Sequence, residues 1–281
     1  MGLVCQKYDK YPFDLSFSIT GNDVDAYFKV MLKALSFTNP KLAAKTKHVS
    51  HGNMRLTSGK MSSRTGDIVA GEALIDSVKE AVLGRMEVSD TEFFGGEMDE
   101  ISEKIAVGAL KYDILKQGLG RDIIFDESKA LALTGNTGPY LQYTFVRAWS
   151  VLEKAGWVLG DLEGELEKFF KEDFGALSSA GGEGDGEGGH VGGGLDEAEL
   201  DVLRHLSKFS DVAKRAAEEY VPHLICNYLF GLAQKFNSFY ADHPILDGGG
   251  KAHFRLLLTA NVARVLKDGL WILGIGVVEK M

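Results

Sequence analysis

Apolar positions recur along this chain at two different periods. Leu15-Ser16-Phe17-Ser18-Ile19-Thr20 alternates apolar and polar residues, the pattern of a half-buried strand. Gly21-Asn22-Asp23 ends it. From Val24 to Phe37 the period lengthens, with Tyr27, Phe28, Met31, Leu32 and Leu35 at helical spacing. Lys47-His48-Val49-Ser50 is a second strand candidate, so strand, helix and strand suggest an α/β layer. Ligands bind such sheets beyond the strand C-termini, which brings Gly21 to Asp25 and His48 to Gly52 toward one site.

The remainder reads as helix. Gly71 to Leu83 carries a stripe of Leu74, Ile75, Val78, Ala81 and Val82, and Glu97 to Lys116 carries Met98, Ile101, Ile105 and Leu110. A short apolar segment, Ile123-Ile124-Phe125, follows. Pro139 suits a first helical turn, and that helix runs to Gly156. Three long helices are expected at Asp196 to Glu219, Pro222 to Ala241 and Ala252 to Leu273, which together make a helical bundle. Between Gly181 and Gly194 nine glycines alternate with Glu183, Asp185, Glu187 and His190. Such a stretch buries too little to order itself, so residues 176–194 read as a flexible acidic loop within the bundle.

Composition changes this picture little. The chain has 281 residues, 45% of them hydrophobic, enough for one large or two ordinary domains. Cys5 and Cys226 are the two cysteines, too far apart in sequence for a metal motif or a disulfide framework, which suits a reducing cytoplasm. His48 and His51 fall on opposite faces with no third ligand near, so no metal site is expected. No apolar run is long enough for a membrane span. The net charge of −9 is unevenly spread, since residues 1–80 hold 11 Lys+Arg against 8 Asp+Glu. A locally basic face can still bind phosphate.

The chemistry concentrates in Ser58-Gly59-Lys60-Met61-Ser62-Ser63-Arg64. Small residues let backbone amides approach an anion, hydroxyls add donors, and Lys60 and Arg64 add positive charge. A loop of this kind can hold nucleotide phosphates and neutralise charge that develops there.

This loop resembles the Lys-Met-Ser-Lys-Ser signature of class I aminoacyl-tRNA synthetases, in the form common among arginyl-tRNA synthetases. Thr137-Gly138-Pro139-Tyr140-Leu141-Gln142-Tyr143-Thr144, Asn227-Tyr228-Leu229-Phe230, Phe236-Asn237-Ser238-Phe239-Tyr240 and Leu273-Gly274-Ile275 resemble further segments of that family, in family order. The resemblance covers residues 11–281. It implies an α/β remnant, the C-terminal half of a class I nucleotide-binding fold, over residues 1–70. A mainly α-helical stem would follow over 71–136, and an all-α anticodon-binding bundle over 137–281.

The function implied is ATP-dependent attachment of arginine to its tRNA, with ATP as substrate and Mg2+ as its counter-ion. Lys60, Ser62, Ser63 and Arg64 would be catalytic. His48, Val49, Gly52, Lys60 and Met61 would hold ATP, and Asp23, Val24 and Tyr27 would lie at the amino-acid pocket. Gln142, Arg147, Tyr220, Asn261, Arg264 and Met281 would meet tRNA. The family's usual Gln is Val24 here, and its His is Tyr27. A valine offers no amide hydrogen bond to an arginine substrate.

The family's His-Ile-Gly-His signature and the Tyr and Asp that read the guanidinium have no counterpart in these residues. The chain is therefore expected to need an N-terminal half, as a separate chain or in continuity, and otherwise to be a monomer off the membrane. A non-catalytic tRNA-binding module, or a truncated gene product, is the alternative reading.

Overall fold

A computed structural model describes residues 2–56, 70–87, 93–94, 96–158, 160, 164–165, 167–168, 171, 194–247 and 249–281. The Lys60–Arg64 loop lies outside the described residues, as does the Gly-rich acidic stretch apart from Gly194. Two compact units are formed. One comprises residues Met1–Ile68 and Gln117–Asp126, the other Val69–Lys116 and Glu127–Met281.

The first unit contains α1 (Gly2–Lys10), β1 (Ser16–Gly21), α2 (Asp25–Thr38), α3 (Pro40–Ala44), β2 (Thr46–His51), β3 (Met54–Leu56) and β4 (Ile123–Phe125). β1 and β2 pair in parallel from Ser16↔Thr46 to Gly21↔His51. β3 and β4 form a second parallel pair, Met54↔Ile123 to Leu56↔Phe125. Asn39 starts α3 by accepting a hydrogen bond from the Leu42 amide (3.1 Å), and Pro40 supplies the fixed φ of a first turn.

The expected alternation in β1 is present, but its apolar side is not the buried one. The register sets Ser18 beside His48 and Ile19 beside Val49. The Phe28 ring of α2 stacks on the His48 imidazole (centroids 3.9 Å apart), so α2 covers the side carrying the polar residues. Phe17 and Ile19 point the other way and are 38% and 70% exposed. Of the apolar stripe on α2, Leu35 is buried, while Tyr27 remains 63% exposed.

The second unit is helical: α4 (Gly71–Met86), α5 (Glu97–Leu115), α6 (Glu127–Ala130), α7 (Gly138–Lys154), α8 (Glu197–Leu206), α9 (Phe209–Glu219), α10 (His223–Asp242) and α11 (Ala252–Ile272). Leu141, Phe145 and Leu152 of α7 pack with Leu229, Leu232 and Phe236 of α10 and Leu258, Val262 and Leu266 of α11 in one continuous core. α5 and α7 meet at glycines, because a Cβ on Gly138 would lie 2.5 Å from the Gly108 carbonyl oxygen. Both α7 and α11 end in a left-handed glycine, Gly156 and Gly274. The amides that follow, of Trp157 and Ile275, bond back to Leu152 and Leu270 (both 2.9 Å), so each end is a Schellman turn.

One expected helix, Asp196 to Glu219, is two helices. The Tyr228 hydroxyl donates to the His205 and Leu206 carbonyls, and Ser207 Oγ donates to the Arg204 carbonyl (3.0 Å). Carbonyls capped in this way do not need the next turn, and the chain restarts as α9.

Candidate functional site

In the first unit the C-terminal ends of β1 and β2 lie side by side, at Gly21 and His51. Asn22, just past β1, donates through Nδ2 to the Gly120 carbonyl (2.8 Å) and to Asp122 Oδ1 (3.3 Å). Asp122 also accepts from the Asn53 amide (3.0 Å) and from Arg55 Nη2 (3.0 Å). The Gly120 amide donates to the Ser50 carbonyl (3.1 Å). Residues 118–123 thus tie the two strand ends together.

Gly52 fits only because it lacks a side chain: a Cβ there would lie 1.8 Å from the Arg121 carbonyl oxygen. This is an approach of backbone to backbone. His48 has its ring occupied, with Nε2 2.8 Å from Thr20 Oγ1 and one face on Phe28. Val49 is half-buried in β2. Beside them Asp25 accepts from Ser50 Oγ (3.3 Å), and its other oxygen, 4.0 Å from His48 Nδ1, is buried without a hydrogen-bond partner. A buried carboxylate oxygen with spare acceptor capacity suits a cationic or N–H-bearing ligand.

Of the residues expected at the amino-acid pocket, Asp23 is exposed and folded over Gly21, and Val24 is half-buried in a short 3-10 turn. Tyr27 stands edge-on to Phe28 (5.4 Å). Asn22 and Asp122 form a polar cluster here, with Asp25 nearby on Ser50; Asn22 and Asp25 fall in the stretch expected near the site, whereas Asp122 lay outside it. Asn22 and Asp25 had a local signal, since they flank the strand-to-helix turn. Asp122 had none, because it arrives from a distant part of the chain.

Gln142 does not face RNA, which corrects the sequence expectation. It is buried, and its Nε2 donates to the carbonyls of Lys104 (3.2 Å) and Gly276 (2.7 Å). The amide bridges α5 and the C-terminal tail, so its polarity serves buried backbone. Arg147 donates to Asn237 Oδ1 (2.8 Å) and to the Tyr143 hydroxyl (3.0 Å), with its guanidinium over the rings of Tyr143 and Tyr240.

Tyr220 caps α9 at φ 60° and lines a hollow with Leu115, Ala216 and Pro222. Asn261 bonds its own helix through the Leu257 carbonyl (2.8 Å). Arg264 lies 3.7 Å from Asp268 on the outer side of α11. Met281 lines a separate apolar cavity of about 190 Å³ with Arg85, Phe93 and Pro139.

A polar cluster fastens α8 to α11. Glu199, fully buried, accepts from Arg255 Nε (2.8 Å) and Lys251 Nζ (2.9 Å), and closes a capping box with Asp196. Burial pushes the Asp196 carboxyl up, but the Glu199 amide, His243 and Lys251 outweigh it and hold the group below the usual carboxylate range. Burial likewise lowers His205, so the neutral ring donates through Nε2 to the Tyr228 carbonyl (3.0 Å). Among the described residues no helix is long and apolar enough to cross a membrane, and no three His, Cys, Asp or Glu side chains are grouped to hold a metal ion.

This architecture, a small parallel α/β unit followed by a helical bundle, is that of the C-terminal part of arginyl-tRNA synthetase structures. The enzyme of Thermus thermophilus superimposes with a TM-score of 0.75 at 24% identity, over 95% of this chain and 41% of that one. The enzyme of Plasmodium falciparum gives 0.71 at 22%, over 99% and 43%. Residues 141–281 match the DALR anticodon binding domain, and the chain belongs to that family.

Curated relatives reach further along the chain. The arginine–tRNA ligase of Phocaeicola vulgatus is 32% identical over 289 aligned residues, covering 100% of this chain and 43% of that protein. That of Clostridium acetobutylicum is 32% identical, over 99% and 45%. The chain therefore spans less than half the length of the curated relatives it matches.

Proposed function

We propose that this chain is the C-terminal portion of an arginine–tRNA ligase. ATP and arginine would give arginyl-adenylate and pyrophosphate, and the arginyl group would then pass to the terminal adenosine of its tRNA. The observation that carries this reading is the match of the whole chain, α/β unit included, to curated arginine–tRNA ligases. Residues 1–70 would contribute to the nucleotide site, 71–136 would form the stem, and 137–281 would hold the anticodon arm.

Within this reading Lys60 and Arg64 stabilise the ATP triphosphate as charge develops on it, and Ser62 and Ser63 add donors. Mg2+ arrives with ATP as part of the substrate. The strand ends near His48, Val49 and Gly52 face the nucleotide. Asp25, with its unpartnered oxygen, is the better group for a cationic substrate than Val24, which has no polar atom in its side chain.

The test is arginine attachment to tRNA by this chain, with and without a separately produced N-terminal portion. Charging only with the added portion supports the reading. Lys60→Ala should then lower charging while leaving tRNA binding nearly unchanged, and equal loss of both would refute the role of the loop. Binding of tRNA with no charging in either arrangement would leave a tRNA-binding module, the reading favoured by Val24.

A further inference from the structure

The last turn of α11 carries Trp271, 78% exposed. An indole so bare is unusual on a surface, because it leaves a large apolar face in water. It is not isolated. Trp271, Lys267 and Asp268 form one wall of a shallow hollow of about 400 Å³, and the tail residues Ile275, Gly276 and Val277 form the other.

The hollow exists because of the Schellman turn at Gly274, which folds the tail back beside the helix it has just left. Three anchors then fix the tail. Lys111 donates to the Gly274 carbonyl, Gln142 to the Gly276 carbonyl (2.7 Å), and Lys280 pairs with Glu97 (2.6 Å). Ile275 and Val278 are buried. The platform is therefore rigid on both sides.

Its surroundings are cationic. Arg264, Lys267, Asp268 and Trp271 share the outer face of α11, being three, four and seven residues apart. From α5, Lys111 Nζ lies 3.1 Å from where a side chain on Gly274 would begin, and the aliphatic stem of Lys104 passes 3.8 Å from the same point on Gly276. Against these stand Asp268, beside Arg264, and Glu100, bonded to Lys104 (2.7 Å). Arg264 and Lys104 are paired with those carboxylates and Lys111 with the Gly274 carbonyl, so Lys267, in the wall beside the indole, supplies the positive charge at the hollow. A flat, exposed π surface flanked by positive charge is what an unstacked nucleobase and its phosphates require.

We infer that Trp271 is a stacking platform for a single-stranded RNA base, with Lys267 contacting the adjoining phosphate. This rests on the reading of the chain as part of a tRNA-binding enzyme and adds to it a site that the family resemblance did not suggest. Stacking takes one face of the base and one face of the indole out of water, and any base can do so, so the site adds affinity more than sequence choice.

The test uses the full chain and a short anticodon stem-loop RNA from an arginine tRNA, intact or with abasic positions through its loop. Trp271→Leu should weaken binding of the intact RNA about ten- to a hundredfold, and Trp271→Phe should retain most of the affinity. One abasic position should weaken the wild type and leave the Leu variant unaffected, since the same stack is already lost. Lys267→Ala should reduce the salt dependence by about one phosphate contact. Unchanged affinity of Trp271→Leu overturns the inference alone, as does an equal loss on an RNA whose loop is wholly abasic. A wild-type chain that binds no tRNA defeats the reading of the bundle as well. If Trp271→Leu instead dissolves a dimer without altering RNA affinity, the indole faces a second copy and the inference fails.

Discussion

Glu199 and Gly138 show how single residues hold the helical unit. Glu199 is a fully buried carboxylate with two cations and an amide around it. Removing one partner of such a set leaves buried charge uncompensated, so Glu199→Ala should cost about 3–5 kcal/mol, read as a lower urea midpoint. Gly138→Ala would drive a methyl into backbone 2.5 Å away, where nothing flexible can yield, and should cost at least about 1–3 kcal/mol by the same measurement. Cys226 is buried, and burial pushes its thiol up to about 12. A thiol reagent at neutral pH should label Cys5 and spare Cys226 until the chain unfolds. The sign follows: the raised thiol adds stability that is fully present below its unfolded value near 9.0 and is lost as pH rises toward about 12.

At the scale of elements, the start of α8 is the acid-sensitive joint. Asp196 is held below its ordinary range, so its contribution is present above the unfolded carboxylate value and lost as pH falls through the folded one. Asp196→Asn keeps an N-cap side chain but removes the charge, and should flatten the acid limb of a stability–pH profile while barely lowering stability at the bottom of it. A profile unchanged by that substitution would place the acid sensitivity elsewhere. The expected helix starts and stops were legible where they rest on local chemistry: Pro139, Gly156, Asp196, Pro222. The break between α8 and α9 was not, because it depends on a hydroxyl delivered by Tyr228 from another helix. Nor was β3, three residues long and paired, among the described residues, with β4. The orientation of β1 misled for a related reason. Alternation says that the two sides differ, but which side is covered depends on what lies across from it. Gln142 misled because a buried amide bridging two carbonyls looks, in sequence, like any surface glutamine on a helix.

For the molecule as a whole, the α/β unit is the less self-sufficient one. Phe17, Ile19, Tyr27, Val30 and Phe37 are all exposed there, whereas the helical unit has a continuous core. Hydrogen exchange should therefore be faster through β1, β2 and α2 than through α7, α10 and α11. Adding an N-terminal portion should slow the first set selectively. Ile19→Glu should abolish that protection and any reconstituted charging while leaving tRNA affinity unchanged; equal effects on both would mean that the bare sheet side is not a docking surface. The family and the helical half of the architecture could be read from motifs in order. Asn22 and Asp25 could be placed near the strand ends, but Asp122 could not, since a chain reversal that no local pattern announces brings it there.

That reversal also has a consequence in time. The α/β unit is interrupted in sequence: residues 69–116 belong to the other unit, and the chain returns only at Gln117. On a ribosome adding about 5–20 residues per second, β3 emerges several seconds before β4 and has no strand to pair with in the interval. Asn53 and Arg55 wait with it, because their shared carboxylate, Asp122, is still unmade. The α/β unit therefore cannot be completed in the order in which it is begun, and α4 and α5 reach water before the strand that precedes them has its partner.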